Sequence, residues 1–204
     1  MQRVPVLPTR DAVILPGAVN ELQVGRPGSV AALRHAAERD QLVLVLLQKD
    51  PDVDDPGPGE LHEIGTIVRV TDAERLSAES ACIGVLGVER VRVGLVERSG
   101  DALFASVESM SWAPAEPAMS AVLKDSLPLV IHHGLGTVMS ARSFQALEAK
   151  SATEMITALS VVAPVRPQVL QRALENEDLK AITAALESLR DDSWFARFLR
   201  WVKR

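Results

Sequence analysis

Leu7 to Val24 reads LPTRDAVILPGAVNELQV and runs directly into Gly25-Arg26. It contains two apolar, strand-like runs, Ala12 to Leu15 and Leu22 to Val24, with Pro16-Gly17 breaking the chain between them. Pro5 and Pro8 stand on its leading edge. Proline removes a ladder donor and so belongs at strand starts and edges. The stretch therefore predicts an edge-entering strand, a sharp corner and a second short strand.

Beyond the corner, Ser29 is placed to N-cap a helix over Val30 to Arg39, with Val30, Leu33, Ala37 and Ala36 on its inner face and Asp40 ending it. Leu42 to Leu47 is an unbroken aliphatic run of strand length, as in a strand buried on both faces. Asp50 to Gly59 holds four aspartates, three prolines and two glycines, which makes it a solvated loop. Prolines interrupt its aspartates, so no calcium-loop register fits. Strands follow over Glu63 to Val70, Ala81 to Leu86, Val88 to Val96 and Ala102 to Met110. Gly84, Gly87 and Gly94 read as bends or bulges, and Arg98-Ser99-Gly100-Asp101 as a turn. Several short strands with one early helix suggest a small, partly open β-barrel.

Trp112 to Pro117 carries two prolines and a change of apolar period from 2 to 3.6. It separates residues 1–112, the barrel subdomain, from residues 118–204, which read as an α-helical bundle. The fold class is α+β. Helical segments run from Ala118 to about Gly134, with Pro128 inside, and from Ser143 to Ala149. Ser151 and Glu154 have capping-box spacing and open a helix through about Val162. Two more are expected over Gln168 to Glu175 and Asn176 to Leu189.

The 204 residues are 47% hydrophobic but only 3% aromatic, so the core must be aliphatic. Net charge is −5, which opposes a broad phosphate-binding face and argues against nucleic acid. The single cysteine, Cys82, sits among apolar residues and reads as a buried small hydrophobe. No run approaches the roughly 20 apolar residues of a membrane span, and MQRVPVLPTRD has no apolar signal core. A cytoplasmic protein is expected. His132-His133 has no nearby histidine or cysteine to complete a metal set. There is no G-x-x-x-x-G-K-[ST] phosphate loop and no G-x-S-x-G elbow. A non-catalytic protein without cofactor or metal is expected.

The opening PVLPTRDAVILPGAVNELQVGRPGSVAAL resembles the start of the Lon protease amino-terminal domain, which follows P-[VL]-L-P-L-R-D-x-V-x-[FY]-P and then x-P-L-x-V-G-R. Pro5, Leu7, Pro8, Arg10, Asp11, Val13, Pro16, Val24, Gly25 and Arg26 match. Thr9, Leu15 and Glu21 depart from it. Gln48-Lys49-Asp50, Gly65-Thr66 and Gly87-Val88-Glu89-Arg90-Val91 follow in the family's order, and the resemblance spans about residues 4 to 190. It implies a PUA-like barrel followed by helices, standing without the ATPase and protease domains of that family. It also implies a substrate-recognition role in proteolysis or quality control, with exposed hydrophobic or unfolded polypeptide as the partner. By motif position, Leu15, Val19, Leu22 and Arg26 are the expected substrate contacts.

Ser193 to Arg204 holds four basic residues, no acid and four of the chain's seven aromatics. As a helix, Trp194, Phe198 and Trp201 share a side with Phe195 adjoining. That face packs onto the helical subdomain, docks a partner or a second copy, or lies on an anionic membrane, the least expected of the three. The docking case gives the alternative function: a scaffold or oligomerisation protein that binds a partner through Trp194, Phe195, Phe198 and Trp201.

Overall fold

The computed structural model describes residues 2–75, 80–115, 151–162 and 165–191. The chain divides into two units, residues 1–112 and 113–204. In the first, β1 (Gln2–Thr9), β2 (Val19–Val24), α1 (Pro27–Ala37), β3 (Leu42–Leu47), β4 (Ile64–Arg75), β5 (Ala81–Ser99) and β6 (Ala102–Met110) follow one another. The strands lie in the order β2-β5-β4-β3-β1-β6, and β5 pairs with β6 as well. The path of pairings through β1, β3, β4, β5 and β6 thus returns to its start.

Leu42–Leu47 is the buried strand its composition predicts. Val43 to Leu47 are all buried, and β3 has β1 parallel on one side and β4 antiparallel on the other. Val4, Val6, Leu44, Leu46, Ile67, Val91, Leu103 and Ala105 form one aliphatic cluster from five strands. On the other side of β1 and β3, α1 packs.

The first strand is not where the apolar run Ala12 to Leu15 suggests. It is β1, which carries Pro5 and Pro8, and it has neighbours on both sides. Each neighbour covers only part of it: β6 pairs with Gln2 to Val6, and β3 with Val6 to Thr9. Pro5 lies outside the β3 register and Pro8 outside the β6 register, so each missing N–H has a side with no ladder to break. Ala12 to Leu15 instead crosses the end of the sheet in irregular conformation, with Val13, Ile14 and Leu15 buried. Its carbonyls are satisfied from elsewhere. Thr9 Oγ1 donates to the Ala12 carbonyl at 2.6 Å, Thr66 Oγ1 to that of Ile14 at 2.6 Å, and the Ala18 N–H to that of Leu15 at 3.0 Å.

Helix α1 also departs from its expected frame. It begins at Pro27, whose fixed φ and missing N–H suit the first helical position, and its N-cap is Arg26 without a side-chain cap. Ser29 therefore lies inside the first turn, buried with Ala32 and Ala36. These three small residues form the inner face. Val30, Leu33 and Ala37, expected to face inward, stand at the flank.

The two strands expected around Gly87 are one 19-residue strand, β5. It changes partner near Gly87: residues 81–86 pair with β2, and residues 90–99 with β6. A side chain at Gly87 would collide with the Leu15 carbonyl. The corner docks there instead, with the Gly17 N–H donating to the Gly87 carbonyl at 2.9 Å and the Gly87 N–H to that of Ala18 at 2.8 Å.

In the second unit, α2 (Ala152–Val162), α3 (Pro167–Asn176) and α4 (Lys180–Asp191) are described. Ser151 Oγ accepts the Glu154 N–H at 3.1 Å, capping α2 as expected. The last helix starts later than Asn176: Glu177 takes a left-handed conformation (φ 54°), and Asp178 Oδ1 accepts the Lys180 N–H at 2.9 Å, opening α4. Ile156, Leu170, Leu174, Leu179 and Ile182 are buried in this unit. The segments expected as helices over 118–134 and 143–149, His132-His133, and Ser193 to Arg204 lie outside the described residues.

Candidate functional site

Helix α1 and the distal part of the β4–β5 hairpin enclose a groove of about 470 Å³. One wall is the flanking stripe of α1, Val30, Leu33 and Ala37. The other is Val70 and Ala73 of β4 with Ala81 and Ile83 of β5. The reason lies in the two apolar stripes of α1. Small residues face the sheet and let the helix approach closely, which leaves the larger Val30 and Leu33 for the groove. Arg34 and Asp72 stand among its lining as the charged groups. Thr71 Oγ1 donates to Asp72 Oδ2 at 3.1 Å.

The residues singled out in the sequence fall into three sets. Leu15 is 0% exposed and Leu22 6% exposed, so both side chains belong to the core. Val19 and Arg26 are half-buried and reach solvent. Leu22 and Val24 are paired in register with Ile83 and Ala81, so β2 lies beside the strand that walls the groove. Trp194, Phe195, Phe198 and Trp201 lie outside the described residues. The groove's β4 wall extends past Val70, where sequence periodicity ended the strand. The size difference between the two α1 stripes is the signal that would have located it.

A second cluster gathers residues from separate motifs. Arg26 Nη1 donates to Gln48 Oε1 at 2.7 Å. Gln48 Nε2 donates to the carbonyls of Asp50 at 2.6 Å and Val53 at 2.9 Å, and so anchors the base of the acidic loop. Arg10 pairs with Asp54, and Arg98 Nη2 pairs with Asp55 Oδ1 at 3.0 Å. Burial, together with the like charge of Arg10, lowers the Arg26 guanidinium from its ordinary value, while Asp54 and Asp55 raise it. Arg26 remains a cation across the working pH range. Among the described residues, no three His, Cys, Asp or Glu side chains are grouped to hold a metal, and no helix is long and apolar enough to cross a membrane.

Against known proteins, the family model of the ATP-dependent protease La (LON) substrate-binding domain matches residues 3–190. The chain belongs to this Lon family. Lon protease 2 of Thermus thermophilus is 28% identical over 195 residues, covering 92% of this chain and 24% of that protein. The Lon protease of Xanthomonas oryzae pv. oryzae is 40% identical over 97 residues, covering 47% of this chain and 11% of that protein. The chain thus spans about a quarter or less of the length of these Lon proteases. The Lon N-terminal domain protein of Xanthomonas campestris has the same fold, with a TM-score of 0.60 at 17% identity, covering 92% of this chain and 98% of that one. The N-terminal domain of the Mycobacterium avium complex Lon protease gives 0.59 at 17% identity, covering 93% and 97%. The Lon motifs in this chain serve largely to build the frame: Gly87 seats the corner, Thr66 holds Ile14, and Gln48 joins Arg26 to the loop.

Proposed function

We propose that this chain is a non-catalytic substrate-binding module that recognises exposed apolar or unfolded polypeptide in the context of Lon proteolysis. The observation that carries this reading is the groove between α1 and the β4–β5 hairpin. Val30 and Leu33 form an apolar stripe that the protein leaves beside an open cleft rather than burying in its core. Apolar surface held in a concave, mostly preformed site is what recognition of hydrophobic side chains requires. An unfolded chain offers such side chains, whereas a folded one hides them. Val19 and Arg26 are the surface members of the neighbouring β2 and corner region, and Leu15 and Leu22 act through the core that shapes it. The closed path of strand pairings supports describing this unit as a small PUA-like barrel. The test is fluorescence anisotropy with a permanently unfolded model polypeptide beside its folded counterpart. Preference for the unfolded form is expected.

A second reading rests on the sequence of residues 193–204. Trp194, Phe195, Phe198 and Trp201 would join a partner or a second copy, making the chain a scaffold. Deleting 193–204 separates the two readings: association is lost if these residues carry it, while peptide affinity is kept if the groove does.

A further inference from the structure

The arginine cluster has a feature that frame-building does not require. Arg10 follows β1, Arg26 precedes α1, and Arg98 lies near the end of β5. Arg10 and Arg98 each pair with one of two consecutive carboxylates, Asp54 and Asp55, and Arg26, held by Gln48 at the base of the same loop, feels the charge of both. The loop does not depend on those carboxylates for its path. Gln48 holds the backbone at Asp50 and Val53, and Pro56 is buried just beyond. The side chains of Asp54 and Asp55 are 94% and 75% exposed. Exposed ion pairs of this kind are weak and exchange readily for equivalent partners. Rotation of two side chains would free the Arg10 and Arg98 guanidiniums beside Arg26 while the loop stays anchored.

We propose that Arg10, Arg26 and Arg98 form a binding site for an acidic stretch of a partner polypeptide, occupied in the free protein by Asp54 and Asp55 as an internal competitor. The present occupants define the ligand chemistry: adjacent carboxylates on an irregular stretch of polypeptide, received by guanidiniums suited to carboxylate recognition. The site is separate from the apolar groove and uses a different ligand class. The internal carboxylates keep weakly acidic surfaces out, so that only a stretch with several acids competes.

The test uses the full chain and a labelled Asp/Glu-rich peptide, with its Asn/Gln counterpart as control, at low ionic strength where charge pairing is least screened. The D54N/D55N variant is expected to bind the acidic peptide about tenfold more tightly than the parent. That gain should vanish when R10Q/R98Q is added, and it should be absent in E38Q/E108Q, which removes two exposed acids elsewhere. Circular dichroism and unfolding midpoints verify that each variant is folded. Equal affinity of D54N/D55N and parent would overturn the proposal. So would a gain that survives R10Q/R98Q, a gain of the same size in E38Q/E108Q, or tighter binding of a single-stranded RNA of equal charge than of the peptide.

Discussion

Gln48 Oε1 accepts the Arg26 guanidinium at 2.7 Å while the same amide donates to two loop carbonyls. Gln48 is 3% exposed, so water cannot replace those bonds where they are buried. Gln48→Ala should therefore destabilise the first unit by about 2 kcal/mol, the cost of stranding buried polar groups. Urea unfolding followed by circular dichroism measures it. A cost near zero would mean that Gln48 is not the anchor of the loop.

Thr66 ties the sheet to the crossing segment through its hydroxyl. Thr66→Val keeps the shape and removes the donor to the Ile14 carbonyl, with an expected loss of about 1–2 kcal/mol. Thr66→Ser keeps the donor, so the Ile14 carbonyl remains satisfied. Equal losses for the two variants would assign the role of Thr66 to its methyl group rather than its hydroxyl.

Gly87 is where β5 changes partner and where the Leu15–Ala18 corner docks. A methyl group there meets the Leu15 carbonyl, which is backbone and cannot rotate away. Gly87→Ala should cost about 1–3 kcal/mol, the range for forcing an extra methyl into a packed site. The two-dimensional amide NMR spectrum should shift at Gly17 and Ala18 before any other part of the corner.

Leu15 and Leu22 were legible as important positions, but their sequence does not reveal the direction in which they act. Leu15→Ala should destabilise by about 2–5 kcal/mol through the cavity it leaves. Polypeptide affinity measured on the fraction that stays folded should remain close to the parent's. A stable Leu15→Ala protein with lost affinity would place Leu15 in a binding surface instead of the core.

Composition and pattern carried much of the first unit. The aliphatic run Leu42–Leu47 is consistent with a strand buried on both faces, and Ala102–Met110 alternates as a strand with one buried side. Structure departs from local signal where tertiary pairing overrides it. Ala12 to Leu15 is apolar enough for a strand, yet the carbonyls of Ala12, Ile14 and Leu15 are taken by Thr9, Thr66 and Ala18 rather than by a neighbouring strand. Pro5 and Pro8 suggested an edge, but β1 acts as an edge on alternate halves of its two sides. Gly87 looked like a break between strands because the change of partner that it permits is visible only in three dimensions. Of the two candidate sites, the groove was hidden because Val30 and Leu33 look like the inner face of any amphipathic helix. The three arginines lie far apart in sequence, and nothing local indicates that they meet the acidic loop.

In the proposed function, the apolar stripe of α1 beside the groove receives unfolded polypeptide. The most direct measurement compares the affinity of an unfolded model polypeptide for the parent and for Val30→Gln/Leu33→Gln, which keeps charge and helix propensity nearly unchanged. Both side chains are only half-buried, so the unfolding midpoint should barely move. The parent should prefer the unfolded polypeptide to its folded form, and the double variant should lose about tenfold or more of that affinity. Equal binding of unfolded and folded forms by the parent, or undiminished affinity in a well-folded double variant, would contradict it.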